Sequence, residues 1–480
     1  MKITFTCWAF LCSIVFALAQ QPCNSVDINL PNKAAVDNFV ATYGPCNTVT
    51  GNLTINLNDN NDLNGLSGLT AIGGNLEITG GAFSMDLTGL DNIETIGGNL
   101  IIKDAFPLQS LSGLRGLVSV NENVEIINTG IKTVGTLQNL SSIGGDLTIK
   151  DNRFLTNIND LTGLNMIGGN LEITSNVDLL NIDGIQNLTT VGGNLTVSGN
   201  VQLTSIQGLQ SLTSINGDMT IGRGAGLTSL NGLQALVTNM GELPGNVTLE
   251  YTTVTDLTAL QNLTGIQGNF TIQGLRGTDL NGLQNLAKID GNFYIAEQGF
   301  MVSMNGLNGL QMVNGNFTIS NNSVLQDLGD MSNLRRIEGE VDIVFNPFLE
   351  NLDGLRGLTS TGNKLWIRSN ERLTNLDGLQ NLLAVNGRVF IASNTILDRF
   401  CGLKPLLDNV GNNGVTSFGT IANAIDPLAD DIRDGDLCER VFPAPAPEEI
   451  EELPVMPKTY LLLLVLVLLS ISSKMLFKRS

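Results

Sequence analysis

Three glutamates recur at the same place in a repeated pentapeptide: Glu77 in Gly74-Asn75-Leu76-Glu77-Ile78, Glu125 in Glu122-Asn123-Val124-Glu125-Ile126, and Glu172 in Gly169-Asn170-Leu171-Glu172-Ile173. Gathered carboxylates are the machinery of glycoside hydrolysis, one protonating the leaving oxygen and the other attacking or activating water. That chemistry needs the two groups side by side. A copy of the pentapeptide with no acid at this place, where Ile101 or Thr148 stands instead, separates each successive pair. The 480-residue chain has no histidine, which excludes a Ser-His-Asp triad, a Cys-His pair and imidazole metal sites. No metal set or cofactor motif is present, and the chain reads as a non-enzyme. The alternative is a β-solenoid hydrolase or lyase acting on polysaccharide.

A second cluster suits binding. Trp366 and Phe390 hold the middle position of successive pentapeptide copies, and Tyr294 holds it further upstream. Lys364, Arg368 and Arg388 flank the first two in a chain whose net charge is −20. Exposed aromatics rimmed by arginine are typical of binding surfaces, and aromatic rings also stack on sugars. The patch therefore reads as a contact for an extracellular protein or glycan, or as the seat of a C-terminal cap folded over the rings. The acidic balance argues against nucleic acid, whose phosphates need cationic neutralisation.

The ends of the chain place these residues outside a cell. Lys2, an apolar run from Cys7 to Ala17 and Ala17-Leu18-Ala19 form a secretory leader over residues 1–19. At the other end, Tyr460–Ile471 is rich in Leu and Val and is followed by Lys474, Lys478 and Arg479. It suits a short type I membrane helix with cytoplasmic cations, or the removable tail of a GPI signal. The closing charges favour the helix. Residues 459–480 are thus the membrane anchor, and the Pro/Glu-rich 439–458 a self-repelling stalk. Four cysteines survive leader removal: Cys23, Cys46, Cys401 and Cys438. Three connectivities are possible. Cys23–Cys46 with Cys401–Cys438 is expected, because each pair closes one terminal segment in an oxidising compartment.

The elements that hold these residues come from the repeat. The pentapeptide occurs fifteen times from Gly51 to Gly387, at a mean step of 24 residues. One step, of 28 residues, carries an apparent loop insertion over 238–244. Short alternating apolar pieces between Gly/Asn/Ser turns read as three short strands per step, with no helix. Such a step is one coil of a right-handed parallel β-helix, or LRR-like solenoid. In Leu-x-Ile the outer residues point to the core and the middle one to solvent. Coils spaced about 4.8 Å apart would give a rod of roughly 67 Å. The 54 glycines then have a use at crowded corners.

Three residues beyond the strand's last apolar residue, Asn58, Asn152, Asn176, Asn200, Asn322, Asn346, Asn370 and Asn394 form a column. It reads as an asparagine ladder that satisfies turn backbone groups. The solenoid spans 50–397. An N-terminal cap at 20–49 would use a helix from Asn32 to Tyr43, with Ala34, Ala35, Phe39 and Val40 on its apolar face. The C-terminal cap would occupy 398–438. Nine N-x-Ser/Thr sequons, at Asn52, Asn139, Asn187, Asn194, Asn246, Asn262, Asn269, Asn316 and Asn321, are candidates for glycosylation.

Ile72-Gly73-Gly74-Asn75-Leu76-Glu77-Ile78-Thr79 and its recurrences resemble the receptor L domain, which forms ligand-binding lobes of the epidermal growth factor and insulin receptors. Cys46-Asn47-Thr48-Val49-Thr50-Gly51-Asn52-Leu53-Thr54-Ile55 is similar to fungal L-domain-like cell-wall glycoproteins, commonly GPI-anchored. The likeness implies a solenoid over about 23–438 and a cell-surface place. With no cysteine-rich module and no kinase, it does not imply receptor signalling.

Overall fold

A computed structural model describes residues 21–59, 62–81, 87–409, 411 and 414–435. The leader, Cys438, the stalk and the anchor lie outside the described residues. The chain divides into two units, 1–438 and 439–480, and the second lies wholly outside them. No helix of the described residues is long and apolar enough to cross a membrane.

Each pentapeptide copy forms a strand, from Leu53–Asn56 through Leu195–Ser198 to Arg388–Ala392. These strands lie in one parallel sheet of 17, in which each copy pairs with the next. Leu147 faces Leu171, Thr148 faces Glu172 and Ile149 faces Ile173. Alternation does the sorting: Leu53 and Ile55 are fully buried while Thr54 is partly exposed. Burying each such aliphatic side chain is worth about 1.5–3 kcal/mol. In three consecutive coils the leucine is replaced by Phe270, Phe293 and Phe317, whose rings contact one another at 5.6 and 5.4 Å.

The second side of the coil is built from two-residue strands such as Ser214–Ile215. They form an 8-stranded and a 7-stranded parallel sheet rather than one. The break falls at the 28-residue step. There the expected loop insertion is instead a helix, Gln234–Met240, which buries Leu236 and Val237 and separates Ser214–Ile215 from Glu242–Leu243. The expectation of no helix in the repeat region was wrong here, because two apolar residues are too few to show a helical period.

The third side also departs from expectation. It holds isolated parallel bridges, such as Asn157 to Asn181 and Asn181 to Ser205, in place of strands. Local bonds take the backbone there. Asn181 Oδ1 accepts from Asp183 N–H, and a 3₁₀ turn, Asp183–Ile185, follows. The same side-chain turn recurs at Asn157, Ser205, Asp256, Asp279 and Asn375. Corners between the second and first sides are crowded. A Cβ on Gly168 would stand 2.1 Å from the carbonyl oxygen of Gly144 in the preceding coil.

Chain outside the repeat adds a strand at either end. Ile28–Leu30 pairs parallel with Leu53–Asn56, and Ser417–Ile421 pairs with Arg388–Ala392. Asn32 caps its helix by accepting from Ala35 N–H at 3.0 Å. The helix is not continuous to Tyr43; it breaks at Asn38 into Lys33–Asp37 and Phe39–Tyr43. The break turns the buried face to Val36 and Phe39 and leaves Ala34 and Val40 exposed. Cys23 and Cys46 are joined by a disulfide, with Cα atoms 4.8 Å apart. A structural disulfide of this kind belongs to secreted or extracellular proteins. Cys401 is also a disulfide cysteine, while Cys438 lies outside the described residues.

Candidate binding surface

The asparagine column positions the sheet. Asn152, Asn176 and Asn200 form one buried run, and Asn322, Asn346, Asn370 and Asn394 a second. Each Nδ2 donates to a strand carbonyl of the preceding coil, as from Asn176 to Ile149 O at 2.8 Å. Each Oδ1 accepts the preceding coil's turn N–H, as from Asn152 to Asn176 at 3.1 Å. Asn58 differs. It is exposed and accepts from Gly81 N–H, because Gly81 and Ala105 carry no amide to continue the column. Three members were missed by matching only asparagine and only within the repeat. Thr129 starts the first run against Asn152, Gln298 starts the second against Asn322, and Asn423 ends it against Asn394. Thr129 and Gln298 stand at the same three-residue offset and were legible there.

A second ladder went unread in the sequence. The asparagine of Gly-Asn-Leu accepts, through Oδ1, the backbone N–H of its equivalent in the next coil, as Asn52 does from Asn75 at 2.8 Å. The chain of bonds continues through Asn170, Asn194, Asp218 and Asn246 to Asn316, which accepts from Glu340. Both ladders fix the coils in register, and so fix every outward side chain.

Trp366 pairs in register with Phe390, and Asp342 with Trp366. Both aromatics are half-buried. Lys364 Nζ lies 5.0 Å and the Arg368 guanidinium 4.6 Å from the Trp366 ring centre; Arg388 lies 4.6 Å from that of Phe390. Lys364 also pairs with Glu340 at 2.8 Å, and Arg368 grips both oxygens of Asp342 at 3.2 and 3.0 Å. Arg388 has no carboxylate within ion-pair reach among the described residues. The indole Nε1 of Trp366 and Nε of Arg368 are buried donors without a partner among the described residues. The chain after 398 places Gly419 beside Phe390 in the sheet, as an edge neighbour. Tyr294 does not join this cluster: Thr318 and Asp342 stand between it and Trp366.

The glutamates share one column but not one site. Ile101 separates Glu77 from Glu125, and Thr148 separates Glu125 from Glu172. Glu77 pairs with Lys103 and Glu172 with Lys150, each at 3.3 Å. Among the described residues no group of His, Cys, Asp or Glu could hold a metal ion.

Aromatics also occupy the turn edge that follows the long strands, which the sequence reading overlooked. Phe106, Phe154, Tyr251, Phe300, Phe345 and Phe348 are exposed there. Arginines lie over three of them: Arg153 over Phe154, Arg276 over Phe300 and Arg372 over Phe348. The Tyr251 hydroxyl crosses a coil to donate to Glu297 at 2.9 Å, which raises the phenol above its ordinary value. A groove of about 500 Å³ runs along this edge from Asn321 and Ser323 past Phe345 and Pro347 to Ser393 and Thr395. The signal was an aromatic in an otherwise polar turn, four to seven residues beyond the strand's first residue.

The sequon asparagines fall into three sets. Asn139 and Asn187 donate Nδ2 to backbone carbonyls of the preceding coil, and Asn262 to the Thr238 hydroxyl. Asn52, Asn194, Asn246, Asn269 and Asn316 belong to the second ladder. Asn321 belongs to neither.

Comparison with curated proteins finds no match to the chain. Residues 45–120, whose strands and ladder asparagines are of the kind repeated along the chain, match the family model of the receptor L domain.

Proposed function

We propose that this is a non-enzymatic extracellular surface glycoprotein that binds a protein or glycan through the outward face of its long sheet. The patch at Trp366, Phe390, Lys364, Arg368 and Arg388 is the contact. The observation that carries this reading is the break in that face. A column made mostly of threonines and acids gives way, over two adjacent coils, to two rings and three cations in a strongly acidic chain. Arg388 is exposed and has no ion-pair partner among the described residues, so the patch keeps a cation that the fold does not consume. The receptor L-domain stretch agrees with a recognition role. Attachment through 459–480, by a type I helix or a GPI anchor, would keep the solenoid on the outer surface.

The competing reading is polysaccharide cleavage by Glu125 or Glu172. The intervening coils and the Lys150 pairing speak against it. One experiment separates the two. The first unit, ending at Cys438, is incubated with a panel of polysaccharides and surface proteins, and both binding and turnover are recorded. Saturable binding without turnover supports the proposal. Turnover abolished by Glu125→Gln or Glu172→Gln overturns it.

A further inference from the structure

We propose that Asn321 carries an N-linked oligosaccharide whose first sugars lie in the edge groove, against Phe345 of the next coil. The inference rests on the secretory reading of residues 1–19.

Asn321 is set apart from the other eight sequon asparagines. Five of those use Nδ2 as a donor: Asn139, Asn187, Asn246, Asn262 and Asn269. Asn52, Asn194 and Asn316 hold a neighbouring coil through Oδ1. The side chain of Asn321 alone makes no hydrogen bond among the described residues, and it is exposed. A sugar on its nitrogen displaces nothing.

What lies beside it is unusual. Asn321 N–H donates to Val344 O, so the next residue, Phe345, is its direct neighbour across the sheet edge. Both residues are left-handed, with φ of 58° and 56°. Asparagine tolerates that conformation, whereas a bulky ring there is an outlier. Phe345 is also 56% exposed. The coil turn imposes this conformation, since the equivalent Ser175, Tyr251, Glu297 and Ser369 share it, but the turn does not require a ring, and the one at Phe345 is left facing solvent at the mouth of the groove. Beyond the ring, Pro347 extends the apolar floor, and Glu371, Ser393 and Thr395 supply polar groups. An apolar floor with hydroxyl and carboxylate walls suits a pyranose, whose C–H face packs on a ring while its hydroxyls find partners. The groove begins at the sequon residues Asn321 and Ser323 themselves, so a covalently attached chain enters at the correct end.

The attachment balances simply. Nδ2 of Asn321 attacks C1 of a lipid-linked oligosaccharide diphosphate. The N–C1 bond forms as the C1–O bond breaks, the lipid diphosphate leaves with the bonding pair, and one amide proton passes to base.

The test uses the full chain expressed through a eukaryotic secretory pathway. Glycopeptide mass spectrometry reads occupancy at Asn321. Melting is compared for wild type, Ser323→Ala, Phe345→Asn and the double variant, with Asn321→Gln repeating the loss without altering Ser323. Phe345→Asn retains a residue that accepts positive φ. The expected result is an occupied Asn321, with loss of the sequon lowering the melting midpoint by about 1–3 °C only when Phe345 is present. An unmodified Asn321 on a chain glycosylated elsewhere overturns the inference alone. So does a sequon loss without effect, or with the same effect in both backgrounds. A chain bearing no glycan at any sequon overturns the secretory reading with it.

Discussion

Asn346 donates both its backbone N–H and its side-chain amide to Oδ1 of Asn370, at 3.1 and 3.2 Å. Asn346 in turn accepts both donors of Asn322, at 3.2 and 2.9 Å, and donates to Ile319 O at 3.0 Å. One side chain thereby ties three successive coils in a site with no water access. Asn346→Ala leaves Asn322 N–H without its acceptor and removes the side-chain bond to Ile319 O, at a cost of about 1–3 kcal/mol for the buried donor left unpaired. The expected result is a lower urea midpoint. Asn346→Asp sets a buried carboxylate oxygen against Ile319 O and Asn370 Oδ1 in place of the donor, and should lower the midpoint at least as far as alanine. A midpoint unchanged by alanine would count against the ladder as a stabilising device.

The corner glycines make a sharper contrast. Gly168→Ala drives a Cβ to 2.1 Å from Gly144 O, which is backbone and cannot swing aside. Overpacking of that kind costs about 1–3 kcal/mol. Gly299 has nothing within 4 Å of its Cβ position. Thermal melts of the two alanine variants should show a clear drop for Gly168 and none for Gly299. An undiminished midpoint for the Gly168 variant, or equal drops in both, would count against coil crowding as the reason for the glycine.

Acid should loosen the turns. Asp256 is held below the usual carboxylate range by the Thr258 hydroxyl and backbone N–H. Asp330 is held low in the same way by Ser332, and Asp62 by the backbone N–H of Asn64 and by Lys33. Burial pushes the Asp91 carboxyl up, but Gly89 N–H and Arg115 outweigh it and lower it. A carboxyl with a folded pKa below its unfolded value contributes stability above the unfolded value, about 3.9, and loses it as pH falls through the folded one. The melting midpoint should therefore be flat from about pH 7 to 5 and fall below about pH 4. Asp256→Asn keeps an acceptor like that of Asn181 and should flatten part of that fall. An equally steep acid limb in the variant would exclude Asp256 as a contributor.

Much of this architecture was legible because it repeats. Leu-x-Ile alternation located the long strands, and a fixed offset located the ladder from Asn152 to Asn394. What repetition hid was the substitution that keeps a role while changing a residue. Gln298 does an asparagine's work, and Thr129 a hydroxyl version of it. The asparagine of Gly-Asn-Leu read as corner punctuation, yet its Oδ1 carries a second ladder. Helix Gln234–Met240 was hidden by its short length. Phe345 escaped notice for the opposite reason: it interrupts a largely polar column, as Tyr251 also does, and a search for recurrence passes over rare exceptions. The Trp366 patch was visible from charge and aromatic spacing. Its internal pairings, Arg368 with Asp342 and Lys364 with Glu340, needed the register.

The central claim is that the sheet face at Trp366 is a recognition surface. Its direct test compares the affinity of wild type, Trp366→Ala and Arg388→Ala for the partner found by the binding screen, with melting curves recorded in parallel. The account predicts unchanged melting for Arg388→Ala and a loss of affinity of about tenfold or more in both variants, as expected for a central aromatic or arginine anchor. Wild-type affinity in both variants would contradict it.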